Sequence, residues 1–295
     1  MARTVLVTGA TGLIGRQTIA PLRELGFTVL AGSRSGVDVE GAAGLACDIL
    51  DPNAPEELFK SGLISHLLHL AWHDHPRDRW TSPANLDWAA ASLRLVRAFA
   101  EAGGTRVVAA GSCAEYEWGG DRLSEDSSLK QNSLYGAAKA TTGMALTAAA
   151  PVLGVSLAWA RIFFCYGPGE PKGRLLGDLI KGIAAGEDVD CTDGLQKRDF
   201  LHTEDIGRGL AAILNSEAEG AINLASGTAI EVRSLIEEVA SQMGHPERVR
   251  LGARPRPFDD PAIVEADVTR LNEIGFEPVH DVASGVAQVL GQDVS

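Results

Sequence analysis

The chain has 295 residues, 45% hydrophobic and 22% charged, which is ordinary globular usage, enough for a full core and too apolar for a disordered chain. Lys and Arg number 26 against 39 Asp and Glu, a net charge of −13, so most of the surface repels a polyanion and nucleic acid is disfavoured as a partner. Cys47, Cys113, Cys165 and Cys191 are scattered singly, and the first apolar run is only Val5-Leu6-Val7; reduced thiols and no signal-peptide pattern set the expectation of a cytoplasmic protein.

Along the chain, short apolar runs alternate with helical patterns. Strands are expected at Thr4 to Thr8, Thr28 to Ala31, Gly44 to Cys47, His66 to Leu70, Arg106 to Ala110 and Val155 to Ile162, with helices near Leu13 to Leu25, Ala84 to Ala102, Ser133 to Ala149 and Thr203 to Asn215. Strand then helix, repeated, predicts an α/β fold: a Rossmann-type, doubly wound parallel sheet whose near-continuous apolar strands are covered on both faces. Pro21 falls inside the first helical pattern, where it costs about 3 kcal/mol unless the facing carbonyl is relieved. Thr141 to Ala160 carries no charge, but its hydroxyls, Pro151 and Gly154 read as a helix end, a turn and a buried strand, so no membrane association is expected. After Phe164 the Gly and Pro clusters at 167–173 and 254–257 mark the loops of a small C-terminal lobe. The expected division is 1–164 with about 197–225 for the dinucleotide-binding part, and about 165–196 with 226–295 for the lobe.

Between the first strand and first helix lies Gly9-Ala10-Thr11-Gly12-Leu13-Ile14-Gly15. A diphosphate needs close backbone N–H donors and the positive end of a helix, and glycine removes the Cβ that would block it. The second strand ends Ala31-Gly32-Ser33-Arg34-Ser35, with no acid before Asp38. A carboxylate there holds a free ribose, whereas a 2′-phosphate wants a guanidinium. Ser33 and Arg34 therefore favour NADP(H); NAD(H) stays as the alternative, since Arg34 could also be a solvated surface charge. Asp48, after the third strand, either reaches the adenine edge or caps the next turn of the chain.

Tyr135 and Lys139, four apart in a helical pattern, share one face, and Ser112 lies just past the fifth apolar run, at the sheet's ligand-binding edge. Bringing a tyrosine from a pKa of about 10 to neutrality takes about 4 kcal/mol of phenolate stabilisation, much of which a nearby ammonium supplies. Tyr135 would be the acid-base group, Lys139 its charge partner and a ribose ligand, and Ser112 a hydrogen-bond donor to the substrate oxygen.

With Cys47-Asp48-Ile49, His69-Leu70-Ala71, Ser112 with Tyr116, Arg161 with Tyr166-Gly167-Pro168, and Arg198-Asp199-Phe200 added to those motifs, the whole chain resembles the extended short-chain dehydrogenase/reductase family, the nucleotide-sugar epimerases, dehydratases and reductases. The resemblance implies a homodimer acting on a nucleoside-diphosphate sugar. It implies cofactor contacts from Gly9, Thr11, Gly12, Leu13, Ile14, Gly15, Ser33, Arg34, Asp48, Ile49, Leu70 and Ala71 as well as Tyr135 and Lys139. Substrate contacts are expected from Trp72, His73, Ser112, Glu115, Phe164, Arg198 and Arg256, with Arg198 at the diphosphate. Phe164 stands where the family pattern has Asn. Cys113 and Ala114 replace the Asp-Glu pair of the dehydratases, and Ala114 occupies the place of the epimerase-reductases' cysteine, so dehydration and double epimerisation are both disfavoured. The leading expectation is an NADP(H)-dependent reductase of a 4-keto-6-deoxy sugar; an NAD-dependent 4-epimerase comes second and a non-catalytic cofactor sensor third.

His66, His69, His73 and His75 concentrate in one short stretch. Period two puts His66 and His69 on opposite strand faces and the other two fall in a loop, so no metal site is expected there.

Overall fold

The computed structural model describes residues 3–60, 64–73, 75, 78–120 and 122–293; Asp74 and Pro76 of the histidine loop lie outside these. The first half runs β1 (Thr4–Thr8), α1 (Gly15–Glu24), β2 (Thr28–Ser33), β3 (Ala43–Ala46), α2 (Ala54–Phe59), β4 (His66–His69), α3 (Ala84–Glu101), β5 (Arg106–Ser112), α4 (Leu134–Leu153) and β6 (Ser156–Ile162). The second runs β7 (Phe164–Tyr166), α5 (Leu175–Ala184), β8 (Val189–Asp190), β9 (Lys197–His202), α6 (Thr203–Asn215), β10 (Gly220–Leu224), β11 (Ala229–Glu231), α7 (Val232–Gln242), β12 (Val249–Arg250), β13 (Ile263–Val264), α8 (Thr269–Glu273) and α9 (Val282–Asp293).

Seven strands form one parallel sheet in the order β10-β6-β5-β4-β1-β2-β3. The chain winds outward from β1 in both directions, so the crevice between β1 and β4 at the carboxyl edge is the topological switch point where ligands of such sheets bind. Alternation along β1 divides the core. Val5 and Val7 pack with Ile19, Leu22, Ile206 and Leu210 under α1 and α6, while Leu6 packs with Leu67, Leu95, Phe99 and Leu157 under α3 and α4. No helix among the described residues is long and apolar enough to cross a membrane.

Pro21 sits inside α1, and its missing N–H leaves the Gln17 carbonyl without its helical donor. That carbonyl faces α6 at Gly207, where an added Cβ would stand 2.2 Å from the Gln17 oxygen. The glycine lets α6 close on α1 over the spare acceptor.

The small lobe has its own sheet, β11-β9-β13 with β7 beside β9. Leu176, Leu179 and Ile183 of α5 meet Leu235, Ile236 and Val239 of α7 and Val286 and Val289 of α9 in a separate core. Val264, Ala266, Val268, Leu271 and Phe276 do not join it; they pack with Ile206 and Leu210 in the core of the large sheet. Segment 226–295 thus contributes side chains to both cores. The apolar alternation at 264, 266 and 268 gives an extended chain one face to lay on the larger core.

Candidate active site

Gly9 closes β1 with φ +73° and donates its N–H to the Gly32 carbonyl at 3.1 Å. A Cβ there would stand 2.9 Å from Ala71 N, and one on Gly15 would stand 2.1 Å from the Gly9 oxygen. Both positions therefore require glycine, and the turn they make leads into α1, whose N-terminus carries no side-chain cap. A helix start without a side-chain cap, approached by a turn with glycine at positions 9, 12 and 15, fits a cofactor diphosphate. Arg16, which no sequence pattern singled out, folds its guanidinium back onto the turn and donates to the carbonyls of Thr11 at 3.1 Å and Gly12 at 3.2 Å.

At the end of β2, the Ser33 hydroxyl accepts from Gly36 N at 3.1 Å, and Arg34 is exposed. Asp48 closes a turn by accepting from Leu50 N at 3.2 Å, and Ile49 beside it is buried.

A cavity of about 680 Å³ opens at the switch point and reaches into the lobe. It brings together Ile14, Leu70, Trp72, His73, Ser112, Tyr135, Lys139, Phe164 and Arg198 from the expected site. Ser133 caps α4 by accepting from Gly136 N at 3.1 Å, which sets Tyr135 in the first turn and Lys139 one turn later. Lys139 is 4% exposed. Its ammonium donates to the Ala110 carbonyl at 2.8 Å and stands 3.9 Å above the Trp72 ring, so a carbonyl and the negative face of an indole hold the charge together.

Trp72 is itself fixed, donating to buried Asn85 at 2.8 Å, while Asn85 donates to the Arg79 and Ser82 carbonyls. Trp80 meets the Tyr135 ring edge-on at 5.4 Å between centroids and accepts the Tyr135 N–H at its carbonyl. Trp118 donates to the Cys113 carbonyl at 2.7 Å. With their N–H groups committed, Trp72 and Trp118 offer carbon to the cavity. Burial pushes the Cys113 thiol far above its usual range, so it stays protonated.

Glu115 is corrected. It is fully buried and turned away from the cavity: its carboxylate accepts from Ser112 N at 2.7 Å, from Trp159 Nε1 at 3.0 Å and from Arg161 Nε at 2.9 Å. With the Ser112 hydroxyl accepting from Ala114 N it completes a capping box on the turn after β5. Desolvation pushes this carboxyl up, opposed by Arg161 and those N–H bonds. Arg256 is corrected as well: it is exposed, 3.8 Å from Asp193, and does not line the cavity, whereas Arg254 does. In a proline-rich segment side chains two apart do not share a face as they do in a strand. Arg198 donates to the Lys197 and Pro261 carbonyls and pairs with Asp260. Phe164 packs against Phe200 and Trp118. Arg79, Trp80, Trp118, Arg174 and Arg254 also line the cavity and were missed; they come from loops and helix starts, where no periodicity announces a direction.

The histidines separate. His66 bonds Ser65 at 2.9 Å and meets Phe27 edge-on. His69 ties β4 to Thr8 at 2.7 Å and to Ser92 of α3 at 2.8 Å, and burial followed by the Lys139 charge pushes it down to about 3, a neutral clamp. His73 and His75 both approach Asp78, at 3.1 and 3.2 Å.

The sequence of residues 5–225 matches the NAD dependent epimerase/dehydratase family, and the chain belongs to that family. It is 26% identical to a UDP-glucose 4-epimerase of Corynebacterium glutamicum over 94% of this chain and 91% of that protein. A dTDP-4-dehydro-6-deoxy-D-allose reductase of Streptomyces bikiniensis is 33% identical, over 38% of this chain and 36% of the reductase. Among solved structures, MoeE5 in complex with UDP-glucuronic acid and NAD superposes with a TM-score of 0.86 at 31% identity, covering 99% of each chain.

Proposed function

We propose that the protein is an NADP(H)-dependent reductase of a 4-keto-6-deoxy sugar carried on a nucleoside diphosphate. The observation that carries this reading is the end of β2: Ser33 and Arg34 stand at the sheet edge with no carboxylate before Asp38, and Arg34 is exposed with no ion-pair partner among the described residues. A pocket suited to the 2′-phosphate fits consumption of a reductant better than internal recycling. Cys113 and Ala114 after Ser112 offer no acid-base pair for losing water, and the indoles around Tyr135 suit a deoxygenated carbon better than a hydroxyl. Arg174, Arg198 and Arg254 line the cavity wall, the first two beside Glu170 and Asp260, and their guanidinium groups are the donors a diphosphate would need.

The bound nicotinamide supplies the hydride. Ser112 donates a hydrogen bond to the ketone oxygen and Tyr135 delivers the proton that this oxygen takes up as the alcohol forms. Lys139 keeps a positive charge beside the phenol and offers donors to the ribose. A second reading, an NAD-dependent 4-epimerase, is favoured by one observation: the similarity to the epimerase named above extends over the lobe, whereas the similarity to the reductase covers about a third of each chain. Both readings use the same three residues on the same carbon. The test is NADPH oxidation with dTDP-, CDP-, UDP- and GDP-linked 4-keto-6-deoxy sugars. Stoichiometric NADPH loss with a matching alcohol product is expected; interconversion of two sugar nucleotides without net loss of NADPH would establish the epimerase instead.

A further inference from the structure

Behind Tyr166, on the side away from the reacting groups, three metal-ligating side chains meet that the proposed reaction does not use. His202 ends β9 and caps α6, Glu204 lies in the first turn of α6, and His280 comes from the segment before α9. One ligand atom from each lies within 4.8 Å of the other two. His280 Nε2 is 3.1 Å from a Glu204 oxygen, and the two imidazole centroids are 4.4 Å apart. His202 is 1% exposed, and its Nε2 has no hydrogen-bond partner among the described residues. A buried ring nitrogen left without a partner is uncommon enough to require a reason.

We propose that His202, Glu204 and His280 form a binding site for one divalent transition-metal ion of the zinc class, with a fourth position open to solvent. Two imidazoles and one carboxylate are the borderline donor set that zinc takes in three-ligand sites, and a single carboxylate is too few for calcium. Ligands at about 2 Å from a tetrahedral ion stand about 3.3 Å from one another, so a small side-chain rotation closes the present spacing. The backbone already holds the pieces: Val279 N and His280 N donate to the two oxygens of buried Asp205 at 2.9 and 3.1 Å, which fixes His280 over the start of α6. Glu204 and Asp205 offset the positive end of that helix, which alone would oppose a cation. Ligation through His202 Nε2 takes the tautomer that carries its hydrogen on Nδ1, so the long 3.4 Å acceptance from Glu204 N is given up when the ion binds. The side chains of His280 and Glu204 are 15% and 40% exposed, which leaves a way in.

The ion would join the C-terminal segment to β9 and α6. Tyr166, whose ring is 5.3 Å from His202 and whose hydroxyl donates to the Asp281 carbonyl at 3.2 Å, forms part of the substrate cavity, so the clip would stiffen that wall without touching substrate. The experiment is calorimetric titration of the full chain, stripped with a chelator, with zinc chloride, together with thermal unfolding at each zinc concentration. The expected result is one equivalent bound and a midpoint raised by several degrees once free zinc exceeds the dissociation constant about 100-fold. Binding should disappear in His280→Ala and weaken at least tenfold in Glu204→Gln, each checked by circular dichroism to be folded without zinc, and should persist in His75→Ala, which disables the stacked His73–His75 pair. Absence of saturable binding would overturn the proposal, as would binding lost in His75→Ala and kept in His280→Ala and Glu204→Gln.

Discussion

At one end of the crevice, Lys139 lies between the Ala110 carbonyl and the Trp72 face, Trp72 hangs from buried Asn85, and the Ser112 backbone is tied to Glu115. At the other end, the Ser33 hydroxyl accepts from Gly36 of its own turn, the Asp48 carboxylate accepts from Leu50, and Arg34 is exposed. Both ends lie on the carboxyl edge of one sheet, yet they answer different demands. The group that moves a proton must be placed before substrate arrives, so its neighbours are fixed by buried partners. Coenzyme choice needs only a difference of one or two contacts at an exposed edge. The buried end should therefore respond to substitution with large losses and the exposed end with small changes in preference.

Tyr135→Phe tests the buried end most severely. The ring can still meet Trp80, but no proton can be delivered, so turnover should fall about 10² to 10⁴-fold while cofactor affinity, read by fluorescence titration, stays near native. Lys139→Ala should damage both, because in the proposed reaction the ammonium serves the phenol and the ribose. Near-native turnover of the phenylalanine variant on a confirmed substrate would move proton delivery to another group.

Glu115→Ala extends the comparison beneath the site. It leaves the Arg161 guanidinium and the N–H groups of Ser112 and Trp159 without their buried acceptor, a loss of about 3–5 kcal/mol for breaking a buried ion pair from one side. Urea unfolding measures it. Glu115→Gln keeps an acceptor and should cost clearly less; equal losses in the two variants would show that charge, not acceptance, is what the pocket needs.

The sequence made the large sheet legible because double-sided burial writes continuous apolar runs. Thr4–Thr8 and Thr203–Asn215 lie where periodicity puts them, and the Gly9 to Gly15 turn follows from the need to remove Cβ atoms. It was less informative where direction depends on tertiary partners. Glu115 sits close to Ser112 in the chain but is turned down by Arg161, a residue of the next strand. Arg254 and Arg256 could not be told apart without seeing which of them Asp193 engages. The short strands β7, β8, β11, β12 and β13 have two or three residues each, too few to show an alternation. Pro21 read as a defect until Gly207 was found opposite the carbonyl it frees.

The smallest expected effect belongs to the exposed end. If Arg34 engages a 2′-phosphate, NADPH should bind at least tenfold more tightly than NADH, which is about 1.4 kcal/mol and within the reach of one charge-assisted hydrogen bond in solvent. Arg34→Ala should erase most of that ratio by weakening NADPH alone, since NADH presents nothing for the guanidinium to hold. Because the side chain is exposed, the preference should also shrink as salt is raised, whereas Tyr135→Phe should be insensitive to salt. Fluorescence titration of both nucleotides at two ionic strengths reads all of this. Equal affinities in the native protein would remove the reductant-consuming argument and leave the epimerase reading in front; a salt-independent preference that survives Arg34→Ala would place the discrimination on another donor, with Arg16, already folded over the glycine turn, the next cation to substitute.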